Sequence, residues 1–449
     1  MVGGLGEIGK IPELRRRLFF TIVLLAVYRL GIHVSVPGID VEALRKMFEV
    51  ADGTLFGLIN MFSGGALHNF SLFTLGIAPY ISVSIIVQLL TPVIPSLDAL
   101  KKEGDAGRRV LTRYTRLGTI ALALIQSYFV ARGLQSQAGL VHQPGPIFIG
   151  TAMITLTAGT AFVMWLGEQI TERGLGNGTS IIIFAGIIAR MPSVLVSTIA
   201  LAQTGEIQPL AILLLLVFCL ASIYFIVFVE RSSRKIPIQY PRRASVKSLP
   251  TTPPQQYMPL KVNMVGVIPP IFASAVLVLP ATLGSFSSNE IIKEYAAKFM
   301  PGSFLYEVVF VACILFFAFF YAAVIFSPED VSENLKKQGA FIPSVRPGQQ
   351  TVDYLYGILN RLTLWGALYI AAVCVIPQLV YLYYGATGFA YVFGGTAILI
   401  VVGVTLDTAS QIESMVVARN YEAFMSRTSK MKSGLGGMLS GQRQRILRR

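Results

Sequence analysis

Few residues in this chain are placed to do covalent chemistry. Ser63 and His68 lie close enough in sequence to suggest a serine–histidine pair, but neither a nucleophile elbow nor an HExxH metal motif accompanies them. Gly4, Gly6 and Gly9 match a lone GxGxxG, but no strand precedes them, so dinucleotide binding is not expected. A phosphate-cradling GxxxxGK[ST] loop does not occur. The three cysteines, Cys219, Cys313 and Cys374, lie inside apolar runs, and their spacing suits neither a disulfide framework nor a metal site. The sequence therefore points away from an enzyme, and no metal or cofactor is expected.

The chemistry that remains is exclusion of water. Ile77, Ile81, Ile183, Ile268 and Ile400 sit near the glycine-bearing ends of four apolar segments. Apolar side chains converging in a pore close it to water and ions by dewetting. Such a constriction offers no hydrogen-bond selectivity, so it passes a substrate of any sequence. A secondary transporter of small solutes is the alternative, but carriers place charged residues mid-span to bind ions or substrate. The apolar segments that carry these isoleucines lack central charges, apart from Arg190 and Asp407 towards the ends of two of them. Glu168, Glu172, Arg190, Asp407 and Glu413 read as interfacial anchors or caps.

The elements that must position these isoleucines are membrane spans. The chain has 449 residues, 54% of them hydrophobic and 13% charged, with a mean hydropathy of +0.65. A soluble domain carries about 25% charged residues, so this composition identifies an all-α polytopic membrane protein. Ten candidate spans cover residues 18–36, 72–94, 114–131, 147–166, 179–200, 210–229, 262–279, 304–326, 364–384 and 391–410. Lys and Arg concentrate in alternate connections and in the tail. Arg45, Lys46, Arg132, Lys293 and Lys298 are the exceptions that fall in the other set. By the positive-inside rule both termini are cytoplasmic. The net charge of +14 thus belongs to a lipid-facing and partner-facing surface.

Two local patterns recur five spans apart. GIAPYISVS from Gly76 and GVIPPIFAS from Gly266 both read Gly-x-x-Pro-x-Ile, while GTSIIIFAG (178–186) matches GTAILIVVG (395–403). Five is odd, so paired spans run in opposite directions, which implies two inverted five-helix halves around a central pore. Before the second span, residues 57–67 are apolar but span only about 16 Å as a helix, against a bilayer core of roughly 30 Å. This segment cannot cross, and is expected as a half-inserted element. The expected organisation is a basic amphipathic segment (1–17), a first half (18–200), a second half (210–410) and a basic tail (411–449). The second half carries long cytoplasmic loops at 230–260 and 327–363, whose length suits partner docking.

Several strings resemble the bacterial SecY family of protein-translocation channels: NMFSGGAL, GIAPYISVSIIVQLL, KKEGDAGRR, WLGEQITERGLGNGTSIIIFAGI, PLKVNMVGVIP, NLKKQGAFIPSVRPGQQT, RLTLWGALYI and FGGTAILIVVGV. The likeness runs collinearly from about residue 3 to residue 421. It implies the central subunit of a translocon in the bacterial cytoplasmic membrane, conducting unfolded secretory proteins and releasing membrane segments sideways into lipid. It implies SecE and SecG as partner subunits, and the SecA motor or a translating ribosome as working partners. Signal sequences, nascent polypeptides and anionic lipids are the other contacts it implies. Residue by residue, Gly57, Leu58, Ile59, Asn60, Met61, Phe62, Ser63, Gly64 and Gly65 resemble the plug. Ile77, Ile81, Ile183, Ile268 and Ile400 fall on pore-ring positions, and a sixth falls on Thr179 where isoleucine is the family pattern. The second and seventh spans, with Ser82 and Val276, resemble the lateral gate. Arg346 matches the arginine of the loop that engages SecA and the ribosome, and Arg242 and Arg243 belong to a neighbouring basic surface. The Pro-rich tip at 250–254 departs from the more basic tip of the family.

Overall fold

The computed structural model describes residues 11–44, 64–135, 139–204, 208–239, 256–285, 303–383 and 393–419. In chain order the first elements are α1 (Pro12–Gly31), α2 (Ala78–Leu90), α3 (Pro95–Lys102), α4 (Asp105–Gln135), α5 (Pro146–Arg173), α6 (Gly178–Gln203) and α7 (Pro209–Glu230). Then follow β1 (Ser233–Ile238), β2 (Gln256–Lys261), α8 (Ile268–Ser285), α9 (Phe304–Ile325), α10 (Pro328–Lys337), α11 (Gln349–Tyr383) and α12 (Gly395–Arg419). Seven of these helices are long and apolar enough to cross a membrane, and the pair α2–α3, bent by 97°, counts as an eighth when taken as one broken span. Together with α1 and α8, they occupy the ten positions expected of spans.

The two halves pack alike. In the first half α2 packs on α4, α4 on α5, and both α1 and α2 on α5. In the second, α8 packs on α9, α9 on α11, and both α7 and α8 on α11. The halves meet where α2 packs against α8 and where α6 packs against α7. Without a hydrophobic driving force between helices in lipid, close contact relies on small residues and short hydroxyl bonds. On α4 the buried residues Thr115, Thr119, Ala123, Ser127 and Ala131 recur every four positions, and the Ser127 hydroxyl meets Thr157 of α5 at 3.4 Å.

The sequence repeat has a physical counterpart. Gly76 (φ +54°) and Gly266 (φ +66°) both take the left-handed conformation just before α2 and α8, where a side chain would be strained. Gly178 and Gly395 both open the last helix of their half against the preceding long helix. A Cβ at Gly178 would overlap the Gly167 carbonyl, and one at Gly395 would overlap the Val373 carbonyl.

Element boundaries differ from the sequence expectation where backbone and hydropathy diverge. The first helix starts at Pro12, so Arg15, Arg16 and Arg17 lie within it rather than on a separate surface segment. Long arginine stems can bury apolar length while the charged head reaches water, so a charge cluster need not end a span. The second helix starts only at Ala78, because residues 72–77 form turns rather than helix. At 13 residues it covers about 20 Å, short of a bilayer core. In the 230–260 connection, β1 and β2 form an antiparallel hairpin despite Pro237 and Pro259. A two-stranded sheet has only edges, where proline is tolerated. The 327–363 connection holds α10 and the first turns of α11.

Replacing Gly395 by valine should force the start of α12 away from Val373, at a cost of about 1–3 kcal/mol. We expect a lower unfolding temperature for the purified membrane complex, and unchanged melting would show that this approach is not tight.

Candidate functional site: a ring of four helices beside a buried turn

Four helices, two of them joined through Gly167 of α5, close a circuit. Beside Gly167 of α5, the tips of Ile77, Thr179 and Ile182 all lie 3.5 Å from the point a Cβ would occupy, which joins the start of α2 to the start of α6. The helix α2 packs on α8, and Val267 at the start of α8 fills the space beside Gly403 of α12. The circuit closes where the Gly176 N–H, just before α6, donates to Gln411 Oε1 of α12 at 3.0 Å. Of the six candidate ring residues, Ile77, Ile81, Ile183 and Ile400 are buried in one hydrophobic cluster that also holds Ile187, Ile271 and Ala397. Thr179 and Ile268 are half-buried. The Thr179 hydroxyl donates to Asn177 Oδ1 at 2.7 Å, which satisfies its polar group locally. A hydroxyl paired in this way costs an apolar constriction little.

Next to the circuit lies irregular backbone. Residues 64–77 contain Gly64, Gly65 and Gly76 at positive φ, and also Phe70 at φ +39°. Non-helical backbone at membrane depth survives only where protein or a water-filled cavity surrounds it. Here Ala66, Phe70 and Phe73 are fully buried, and Ser71 N–H donates to Ala66 O while Gly76 N–H donates to Phe73 O. Residues 70–72 also pair with the chain leaving α1, Val36 N–H to Phe70 O and Leu72 N–H to Val34 O, each at 2.9 Å.

Of the candidate plug, Gly57–Ser63 lie outside the described residues; Gly64 and Gly65 lie within them. Gly64 abuts Gly186 of α6, one helical turn beyond Ile183. The Gly64 carbonyl accepts a hydrogen bond from Arg29 Nη1 at 3.0 Å. A cavity of about 360 Å³ opens beside it, lined among others by Arg29, His33, Gly65, His68, Arg190 and Ser193. Arg29 was not singled out from the sequence, although an arginine inside an apolar run is the kind of signal that marks a functional position. Glu168, expected as an interfacial anchor or cap, pairs its Oε1 with Arg116 Nε of α4 at 2.8 Å.

The candidate gate residues lie on the two helices that meet between the halves. Ser82 is buried on α2 and donates to its own Ala78 carbonyl, whereas Val276 is exposed on α8. The buried residues of α8 include Ile271, Ser274 and Leu277.

The candidate docking arginine Arg346 is exposed on a tightly held loop. Thr351 Oγ1 donates to its carbonyl at 2.9 Å, and Ser332 Oγ donates to the Gly348 carbonyl at 3.1 Å. Ile342 anchors the loop in a small core with Ile236 of β1, Leu260 of β2, and Leu355 and Ile358 of α11. Backbone bonds in both directions between Gln239 and Phe341 tie the loop to the hairpin. Arg242 and Arg243 lie outside the described residues.

This fold and circuit define a polytopic helical membrane protein of two inverted halves that meet at a buried isoleucine cluster. The family model named SecY matches residues 71–409, and the chain belongs to the SecY family. It is 45% identical to the protein translocase subunit SecY of Escherichia coli K12 over 428 residues, covering 94% of this chain and 96% of that one. It is equally identical to the Aquifex aeolicus protein translocase subunit SecY over 424 residues, covering 93% and 98%. A solved structure described as a protein conducting channel superposes with a TM-score of 0.64 at 17% identity, over 90% of this chain and 93% of that one. Sec61 in the canine ribosome–channel complex gives a TM-score of 0.61 at 15% identity, over 90% and 93%.

The Arg29–Gly64 bond yields a test. Replacing Arg29 by methionine keeps most of the stem volume and removes the donor. The resting complex in a planar bilayer should then conduct ions severalfold more than the wild type. Equal conductance would show that the bond does not help hold the seal.

Proposed function

We propose that this chain is the pore-forming subunit of a Sec translocon in a bacterial cytoplasmic membrane, with both termini cytoplasmic. It conducts unfolded polypeptides between its two halves and releases apolar segments sideways between α2 and α8. The observation that carries this reading is the circuit of α2, α6, α8 and α12 around a buried isoleucine cluster, closed between the halves by the α2–α8 contact. A translocating segment that parts α2 from α8 samples lipid and water at once. About 20 apolar residues favour lipid, whereas a polar segment stays in the pore. The ring positions seal against ions, and residues 57–65 act as the plug. The reading includes SecE and SecG as membrane partners, and anionic lipid around the basic connections. The curated relatives are named protein translocase subunits, and among the similar structures Sec61 is described in a ribosome–channel complex. Those names support translocation and a ribosomal partner, whose rRNA phosphates suit the basic connections, and the family resemblance supports the motor SecA.

Gating between α2 and α8 is tested by cross-linking. With Cys219, Cys313 and Cys374 replaced, cysteines at Ser82 and in turn at Ser274, Val276 and Leu277 should join at least one pair in the resting state. A short linker should block translocation, and a long one should spare it. A short link that leaves transport of signal-bearing chains unaffected would place the gate elsewhere.

Docking is tested at Arg346. Arg346→Glu replaces attraction to an acidic or phosphate surface by repulsion. Because the Arg346 side chain is exposed and the loop is held by its backbone, the variant should assemble and melt normally. We expect at least a tenfold loss of SecA-driven translocation into vesicles. Full transport by a normally assembled variant would reduce Arg346 to a solvated charge.

A further inference from the structure

We infer that Asn263, held by Glu230, couples the cytoplasmic docking surface to the gate helix α8. The proposal rests on the docking and gating roles set out above.

Asn263 is 3% exposed and uses both ends of its amide. Its Nδ2 donates to Glu230 Oε1 at the end of α7, at 2.6 Å, and to the Gly266 carbonyl at 3.2 Å. Its Oδ1 accepts from the Gly266 N–H at 3.0 Å. Gly266 is the left-handed residue from which α8 departs two positions later. The side chain thus closes a ring around the turn that sets the direction of the gate helix. A buried amide left without these partners would be costly, so the ring holds or breaks as a unit.

The segment carrying Asn263 touches both regions to be coupled. Val262 N–H donates to the Ser232 carbonyl at the foot of the hairpin, and Met264 packs into the hairpin core with Ile236, Ile342 and Leu355. Val267 belongs instead to the membrane cluster of Ile81, Ile183 and Ile400. The backbone cannot slide freely on its other side, because Gly366 of α11 lies under it: a Cβ there would sit 3.0 Å from the Val262 carbonyl oxygen. A push on the loop bearing Arg346 passes through Phe341 and Gln239 into the hairpin. From there it reaches Val262, and Asn263 turns it into a reorientation of Gly266 and α8. At the corresponding turn before α2 the Gly76 N–H is taken instead by the backbone carbonyl of Phe73. The polar clamp therefore sits on the turn that follows the hairpin.

The test uses the complex with its membrane partner subunits, in nanodiscs, with the native cysteines replaced. Spin labels go on Ile86 of α2 and Val276 of α8, both exposed. The distance between them is measured with and without translating ribosomes whose signal-bearing chain is arrested too short to enter the pore. Ribosome affinity is measured by co-sedimentation. In the wild type the ribosome should shift the distance distribution. Asn263→Ala should at least halve that shift while leaving ribosome affinity within twofold. Glu230→Gln, which keeps an oxygen to accept from Asn263, should respond as the wild type, whereas Glu230→Leu should not. If Asn263→Ala fails to assemble, the two Glu230 variants decide alone. A wild-type shift that survives in Asn263→Ala, or equal shifts in Glu230→Gln and Glu230→Leu, would overturn the coupling and leave docking and gating standing. No shift in the wild type would overturn the docking-driven gating and the coupling with it.

Discussion

Everything distinctive in this structure follows from one constraint: a backbone amide or carbonyl at membrane depth must find a partner inside the protein. Regular helices meet it by themselves. Among the described residues, two stretches of irregular backbone abut the isoleucine cluster, residues 64–77 before α2 and residues 262–267 before α8. The first is satisfied by turn bonds, by pairing with the chain that leaves α1, and by the guanidinium of Arg29. The second is satisfied by the hairpin and by the amide of Asn263. A channel that must open cannot be built of straight helices alone, since those offer no place where a small change of dihedral angle swings a whole element. Left-handed glycines supply that place at Gly76 and Gly266.

An apolar seal suits a substrate of arbitrary sequence because it forms no bonds that each passing residue would have to break. The buried isoleucines also explain why polar groups near them are locally bonded. Thr179 is tied to Asn177, and Ser82 to the Ala78 carbonyl. Each hydroxyl is satisfied within its own helix or cap, so the surface it presents to the cluster is largely a methyl or methylene group. On the proposed ring assignment, threonine at position 179 therefore changes the seal's shape more than its polarity.

Much of this was legible in the residues, for reasons that differ by element. The repeat was visible because its glycines answer to backbone geometry and not to packing taste, so Gly76 with Gly266 and Gly178 with Gly395 mark equivalent places in both halves. The charge pattern supports the proposed orientation because positive connections obey a rule of insertion. The start of the first helix was misplaced because Arg15, Arg16 and Arg17 look like an end to hydropathy yet fit inside a helix. The short second helix was over-extended because residues 72–77 are apolar, and hydropathy reports burial without distinguishing helix from a buried turn. The hairpin was hidden by its prolines. Arg29 and Asn263 were missed because their roles depend on partners 35 residues away and 33 residues away, and no local pattern encodes such pairings.

The inverted repeat also explains how one device can serve two faces. Spans related by inversion present their glycine turns from opposite sides, so the turn at Gly76 follows the plug-bearing segment while the turn at Gly266 follows the cytoplasmic hairpin. The two gate helices thereby inherit different attachments from the same architecture. On the reading proposed above, one hangs from the plug, which a translocating chain displaces, and the other from a surface that a partner grips. A ligand shifts a two-state equilibrium only through its differential affinity for the two states. With a separate lever on each gate helix, partner and client each contribute part of that difference. Neither alone then has to overcome the whole apolar contact between α2 and α8, and the seal can stay closed when only one of them is present.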